Sequence, residues 1–127
     1  PNFVTKDING KDVDLSKIDA EKTVIVFWAS WCTHCDEIMP IINSYYGKNQ
    51  DIEVIAVSID ESKADLMKSI AENNYGWIHV AELNGWNGPI VEEYGIVATP
   101  SIFVLNKNKE IIGKPVGRKV VEKLLAP

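Results

Sequence analysis

A layered α/β fold built on a mixed sheet is the architecture this sequence predicts, and three observations carry the prediction. Two near-continuous apolar runs rich in β-branched residues, Thr23–Ala29 (TVIVFWA) and Ile52–Ile59 (IEVIAVSI), read as strands covered on both faces. Each is followed by a stretch with apolar residues at helical spacing. The C-terminal part then reads as a hairpin and a helix, so parallel strands joined through helices share a sheet with an antiparallel pair.

Taken in order, Phe3–Asp14 carries Asn9-Gly10 between short alternating runs, the strongest local hairpin signal, and forms an N-terminal extension ahead of the sheet. Leu15–Ile18 reads as one helical turn. After the first long strand a helix is expected from Cys35, with Ile38, Ile41, Ile42 and Tyr45 on one face and a kink at Pro40. After the second, an amphipathic helix is expected from about Glu61 to Asn74, with Leu66, Ile70 and Ala71 inward. Ser62, followed three residues later by Asp65, marks its start, since side-chain oxygens there serve free backbone donors. Trp77–Leu83 reads as a short strand and Pro89–Tyr94 as a short helix ended by Gly95. Ser101–Leu105 and Glu110–Val116 pair around residues 106–109, and Arg118–Leu125 closes the chain as a helix.

With 127 residues the chain is expected to form a single domain, 1–127, around one core. The net charge of −5 argues against nucleic acid as a partner, because phosphate binding needs a dense cationic face. The one basic cluster, Lys107 with Lys109, falls in a turn and reads as solvated surface. No run approaches the ~18 consecutive apolar residues of a membrane-spanning helix, so no membrane insertion is expected of this segment. The sequence opens at Pro1, without initiator methionine or a signal-like h-region, and is expected to be a trimmed product that has lost an upstream signal, anchor or domain.

The two cysteines sit in one Cys-x-x-Cys, Cys32-Thr33-His34-Cys35. A structural bridge over so short a loop removes little entropy from the unfolded chain, so stapling does not explain the pair. Disulfide exchange needs a thiolate, and an unperturbed cysteine has a pKa near ~8.5. Cys32 falls where a strand turns into a helix, at the sheet edge where α/β folds bind ligands. Free N–H groups and the positive end of the helix dipole stabilise the anion there. Cys35 lies one turn in, placed to attack a mixed disulfide formed at Cys32. Cys32 is thus the candidate nucleophile and Cys35 the more buried resolving thiol. Trp31, beside the nucleophile, is a candidate for an apolar docking surface, whereas Trp28, Trp77, Trp86 and Tyr94 read as packing.

The run Phe27-Trp28-Ala29-Ser30-Trp31-Cys32-Thr33-His34-Cys35, with Pro40 five residues on, resembles the active site of the thioredoxin superfamily. The run from Tyr94 to Phe103 (YGIVATPSIF) resembles that superfamily's cis-proline segment. The opening hairpin and the Trp77–Pro89 insertion are similar to the TlpA/ResA-like branch of bacterial extracytoplasmic thiol–disulfide proteins. The resemblance covers nearly the whole chain. It implies a thioredoxin-like fold, a central mixed β-sheet flanked by helices with the N-terminal β-hairpin extension. It also implies a redox-active Cys32–Cys35 disulfide with no further cofactor, and a cis Thr99–Pro100 bond whose proline lies against Cys32 and shapes a groove for an extended substrate strand.

Departures from the pattern bear on mechanism. Thioredoxins carry a buried acid one position before the Phe-Trp-Ala run, where it moves a proton to or from the resolving cysteine; here that position is Val26. Glu61 matches a glutamate near the cysteines in ResA-like proteins and is the candidate substitute; alternatively its charge only favours a helix N-terminus. His34 replaces the proline of many reducing members and matches the histidine of DsbA-like and isomerase-type proteins. A donor or imidazolium near Cys32 lowers the thiol pKa, stabilises the reduced form and makes the disulfide a stronger oxidant. Thr33 could add a hydroxyl donor, and both stand as potential-tuning candidates; the other reading of His34 is a surface histidine pointing away.

Three other readings compete with this one. A zinc site lacks paired ligand spacing, since His34 lies inside the motif and His79 far along the chain. A peroxiredoxin-like peroxidase wants a threonine three residues before a single peroxidatic cysteine, but position 29 is Ala and the cysteine is paired. A non-enzymatic docking module would not need the intact pair. The expectation is a monomeric, extracytoplasmic (periplasmic or membrane-anchored) oxidoreductase. It would exchange dithiol and disulfide with protein partners and an upstream electron donor or acceptor protein, as a reductase, the alternative being an oxidase or isomerase poised by His34.

Overall fold

The computed structural model describes residues 1–126. The chain opens as an antiparallel hairpin in which β1 (Val4–Lys6) pairs with β2 (Asp12–Asp14), Val4 opposite Asp14. Residues 7–11 connect them, a longer loop than the two-residue turn that Asn9-Gly10 most often makes. The Asp7 carboxylate organises it, accepting from the N–H groups of Asn9 and Lys11 at 2.8 and 2.9 Å, while Gly10 takes φ +80°. A single 3-10 turn, Leu15–Lys17, follows. Phe3, Val13 and Leu15 are buried in the main core, which anchors the hairpin to the sheet.

That sheet has the order β5-β4-β3-β6-β7. β3 (Lys22–Trp28) and β4 (Ile52–Ser58) are parallel, and β5 (Ile78–Ala81) extends the parallel half. β6 (Ser101–Leu105) runs antiparallel to β3, and β7 (Ile111–Gly113) pairs antiparallel with β6 at the edge. Val24–Phe27 and Val54–Val57 are wholly buried, so the unbroken apolar runs are what strands covered on both faces require. β7 is shorter than the sequence suggests. Gly113 sits where a Cβ would stand 2.6 Å from Leu124 Cδ1, and Pro115 has no N–H to continue a ladder.

Four helices complete the layers: α1 (Thr33–Lys48), α2 (Lys63–Asn73), α3 (Pro89–Glu93) and α4 (Arg118–Leu125), with α1 and α4 packed on each other. α1 starts two residues earlier than its apolar periodicity indicates and runs through Pro40; Ile38, Met39 and Ile42 enter the core. In α2 the Ser62 hydroxyl accepts from the Asp65 N–H at 3.2 Å, as its cap signal predicts. Leu66 is buried but Ala71 is exposed: five residues at about 100° each put Ala71 roughly 140° away from Leu66. Among the described residues no helix is long and apolar enough to cross a membrane.

His79, on β5, is buried, with Nε2 3.0 Å from the Tyr75 carbonyl oxygen; a carbonyl only accepts, so Nε2 carries the proton in the neutral ring. Burial holds its pKa below the usual 6.5, against smaller opposing effects of the Tyr75 bond and the Asp7 charge. The unfolded chain therefore binds a proton near pH 6.5 that the folded chain still refuses. Stability is expected to be level above that pH and to decline as pH falls below about 6.5, at no more than about 1.4 kcal/mol per pH unit. Urea midpoints on either side of that pH check it, and His79→Gln should flatten the slope.

Candidate active site

The site is assembled where β3 and β4 end side by side. The Ile59 N–H donates to the Trp28 carbonyl at 2.8 Å, carrying the parallel ladder one step past β4. β3 then breaks into a tight turn in which the Cys32 N–H donates to the Ala29 carbonyl at 3.1 Å. Cys32 has extended backbone angles (φ −93°, ψ 106°) and is the N-cap of α1; its Sγ accepts from the Cys35 N–H at 3.2 Å. A sulfur in that position takes the place of the usual capping oxygen. It meets a free helix donor and the positive end of the helix dipole, both of which favour a thiolate. Cys32 and Cys35 form a disulfide, their Cα atoms 5.3 Å apart. Both are buried, but Cys32 keeps 6 % of its surface in contact with solvent and Cys35 none, so an incoming group reaches Cys32 first.

Asp60 is a residue that sequence reasoning passed over. It is 1 % exposed and is the only buried carboxylate among the described residues. Both its oxygens accept from the Ser30 N–H, at 3.2 and 3.0 Å. The hydroxyls of Ser30 and Ser58 donate to it as well, the latter at 2.6 Å. Asp60 therefore ties the turn that presents Cys32 to the end of β4. A signal existed: Ser58 and Asp60 interrupt an otherwise apolar run at the sheet edge where the motif lies.

Glu61, next in sequence, points out to solvent. Its side chain crosses the backbone of Gly85, where a Cβ would stand 3.0 Å from Glu61 Oε1, and Gly85 adopts φ +58°. Glu61, Trp31 and Trp86 border one small cavity of about 190 Å³. Trp31 is exposed, as a docking residue must be, and Trp28 is buried. Trp86, read from sequence as packing, is exposed beside Trp31.

On the other side of the cysteines a groove of about 540 Å³ is lined by His34, Ile38, Ile41, Pro100, Ile102 and Val116, among others. The Thr99–Pro100 bond is cis, and both residues are half-buried. Thr33 and His34 are exposed in the first turn of α1. The His34 imidazole is 81 % exposed with Nδ1 3.8 Å from Glu37 Oε2, and the sulfur contact at Cys32 comes from the Cys35 backbone instead. Tyr94, between Phe27 and Phe103, donates its hydroxyl to the Pro1 carbonyl at 2.6 Å. Burial pushes its pKa up to about 12, so it stays a phenol at any working pH. Among the described residues no three His, Cys, Asp or Glu side chains converge as a metal site would need.

Residues 1–114 match the AhpC/TSA family. The chain is 29 % identical over 126 residues to the thiol-disulfide oxidoreductase ResA of Bacillus thuringiensis subsp. konkukian, covering 98 % of this chain and 71 % of that one. Among solved structures it is similar to a domain of a possible thiol-disulfide isomerase from Cytophaga hutchinsonii (TM-score 0.81, 32 % identity, 98 % and 86 % of the two chains). It is also similar to a putative thiol:disulfide interchange protein DsbE from Chlorobium tepidum (TM-score 0.81, 27 % identity, 97 % and 86 %). This chain has the thioredoxin-like fold, a mixed five-stranded sheet flanked by helices with a two-stranded hairpin ahead of it, and superposes on these structures over nearly its whole length.

Proposed function

We infer that this chain, which belongs to the AhpC/TSA family, is a thiol–disulfide oxidoreductase that exchanges its Cys32–Cys35 pair with protein thiols and disulfides. The observation that carries the reading is Cys32 as the N-cap of α1, its sulfur taking the Cys35 N–H, with Cys35 one turn behind it. As a reductant, the Cys32 thiolate attacks one sulfur of a partner disulfide, and the partner's other sulfur leaves as a thiolate. The Cys35 thiolate then attacks Cys32 Sγ. The partner's second thiolate is released, two electrons have passed to the partner, and the Cys32–Cys35 bond has formed. The reverse sequence oxidises a dithiol.

Glu61 is the group proposed to relay the proton of Cys35; its supports are its place just past the end of β4 and its access to water. Pro100, behind the cis bond at Thr99, and Trp31 are proposed to flank an extended partner strand, with the groove beside His34 as support. Ala29, fully buried three residues before Cys32, leaves the peroxidase reading without its threonine. No cofactor is assigned beyond the cysteine pair. A monomeric domain working outside the cytoplasm, fed by a donor protein, fits the likeness to ResA-type and DsbE-type proteins.

Reductase is the direction proposed. His34 bears on it, because an imidazole in water is screened from Cys32, so Thr33 and His34 tune the potential modestly. Replacing His34 by Ala is expected to make the couple less oxidising by under about 30 mV, a tenfold change in equilibrium constant at most. Equilibrium titration of the Cys32–Cys35 couple against glutathione or dithiothreitol tests both statements. A potential near about −270 mV supports a reductant; one near about −120 mV brings the oxidase or isomerase reading forward. Failure to form a reversible disulfide removes the function altogether.

A further inference from the structure

The loop between β5 and α3 brings Trp86 beside Trp31 on the active-site face. The two indoles are 42 % and 60 % exposed, their centroids 6.5 Å apart and their planes tilted by 58°. Two large apolar surfaces side by side in water mark an interaction site more than a packing accident. Their shared cavity is walled by Glu61, Ser62, Asp65 and Gly85. A side chain at position 85 would meet Glu61, so the absence of a Cβ there lets the loop and the glutamate lie together. Neither Glu61 nor Asp65 is held in an ion pair among the described residues. Asp36 and Glu72 continue the acidic border on the far side of Trp31, with Lys68 the one cation lining that hollow.

We propose that the Trp31–Trp86 pair docks a cationic side chain, arginine or lysine, carried by the protein partner close to its reactive cysteine. The proposal rests on the oxidoreductase reading above. Indole faces are the strongest aromatic partners for a cation, and the unpaired carboxylates beside them supply the counter-charge. An apolar side chain in the same place would strip water from Glu61 and Asp65 without giving either a partner. An acidic one would meet like charge. The chain's net charge of −5 adds attraction to basic partners at long range. Trp31 immediately precedes Cys32, so a partner joined at Cys32 presents its next few residues to the pair, at about 3.3 Å each when extended. Trp86 is thereby a specificity-determining residue on a loop outside the cysteine motif.

The test uses two disulfide peptides identical except that two residues beside one cysteine are Arg-Arg or Glu-Glu, with oxidised dithiothreitol as a substrate lacking flanks. Second-order exchange rates are measured for the wild-type chain at about 20 mM and about 300 mM salt, where the screening length differs about fourfold. The wild type is expected to prefer the Arg peptide by about 20-fold or more at low salt and by clearly less at high salt. Trp86→Ala should bring the preference down to within about threefold, a loss of about sevenfold or more, in the range of one cation–π contact at a partly exposed site. Trp86→Phe should keep part of it. Asp65→Asn should lower it too, read as the ratio of the two peptides within that variant. Equal rates for the two peptides in the wild type overturn the proposal. So does a preference undiminished in Trp86→Ala. If neither peptide nor dithiothreitol exchanges, the oxidoreductase reading falls and the proposal falls with it.

Discussion

Cys32→Ser is expected to abolish exchange with peptide disulfides, by at least about three orders of magnitude, while leaving the protein folded. A serine hydroxyl forms no disulfide and is not ionised by a helix terminus, so the first bond of the reaction cannot form. The loop closed by Cys32 and Cys35 is so short that losing the bridge changes the unfolded chain little. Far-ultraviolet circular dichroism and the urea midpoint should therefore stay close to those of the reduced wild type. Cys35→Ser separates the two steps. The Cys35 N–H that meets Cys32 Sγ belongs to the backbone and survives the substitution. Cys32 stays reactive, but nothing inside the site displaces the partner, and a mixed disulfide accumulates one-to-one, visible by mass spectrometry. Multiple turnover by Cys35→Ser at the wild-type rate would show that an external thiol resolves the intermediate.

The parts of the fold that could be read from the sequence are those where one physical demand dominates. β3 and β4 are buried on both faces over most of their length, so they appear as near-continuous apolar runs, and the cysteine pair appears just past the first of them. The apolar spacing starts α1 late because Thr33 and His34 carry no apolar signal; its true start is set by a cap made with sulfur. An inward Ala71 stands at a five-residue interval from Leu66, which no helix face supports. The adjacent acids Asp60 and Glu61 look alike in sequence. Only the parallel register, with the Ile59 N–H on the Trp28 carbonyl, turns Asp60 toward Ser30 and leaves Glu61 outside. Trp86 read as packing because an aromatic in a loop usually covers something, and its neighbour Trp31 is 55 positions away in sequence.

Asp60→Ala is expected to cost about 2–4 kcal/mol of stability and to slow exchange at Cys32 in the same protein. The carboxylate serves three donors, the Ser30 N–H and the hydroxyls of Ser30 and Ser58. Hydrogen bonds to a charged group are worth about 1.5–3 kcal/mol each, and donors left buried without a partner add to the loss. Part is returned because a buried charge no longer has to be desolvated, which keeps the net below the sum. Asp60→Asn should cost less, since an amide oxygen still accepts from the Ser30 N–H while the hydroxyls turn. Ser58→Ala, which removes one donor, should cost about 1 kcal/mol. Urea midpoints at unchanged slope measure all three. The kinetic effect follows from where the strut ends: Ser30 lies inside the turn closed by the Cys32 N–H on the Ala29 carbonyl, so loosening Ser30 loosens the placement of the nucleophile. Asp60→Ala and Ser30→Ala combined should therefore cost less than the sum of the singles, because both remove the same bond. Strict additivity in that cycle, or a stability loss with exchange kinetics unchanged, would leave Asp60 a packing residue with no hold on Cys32.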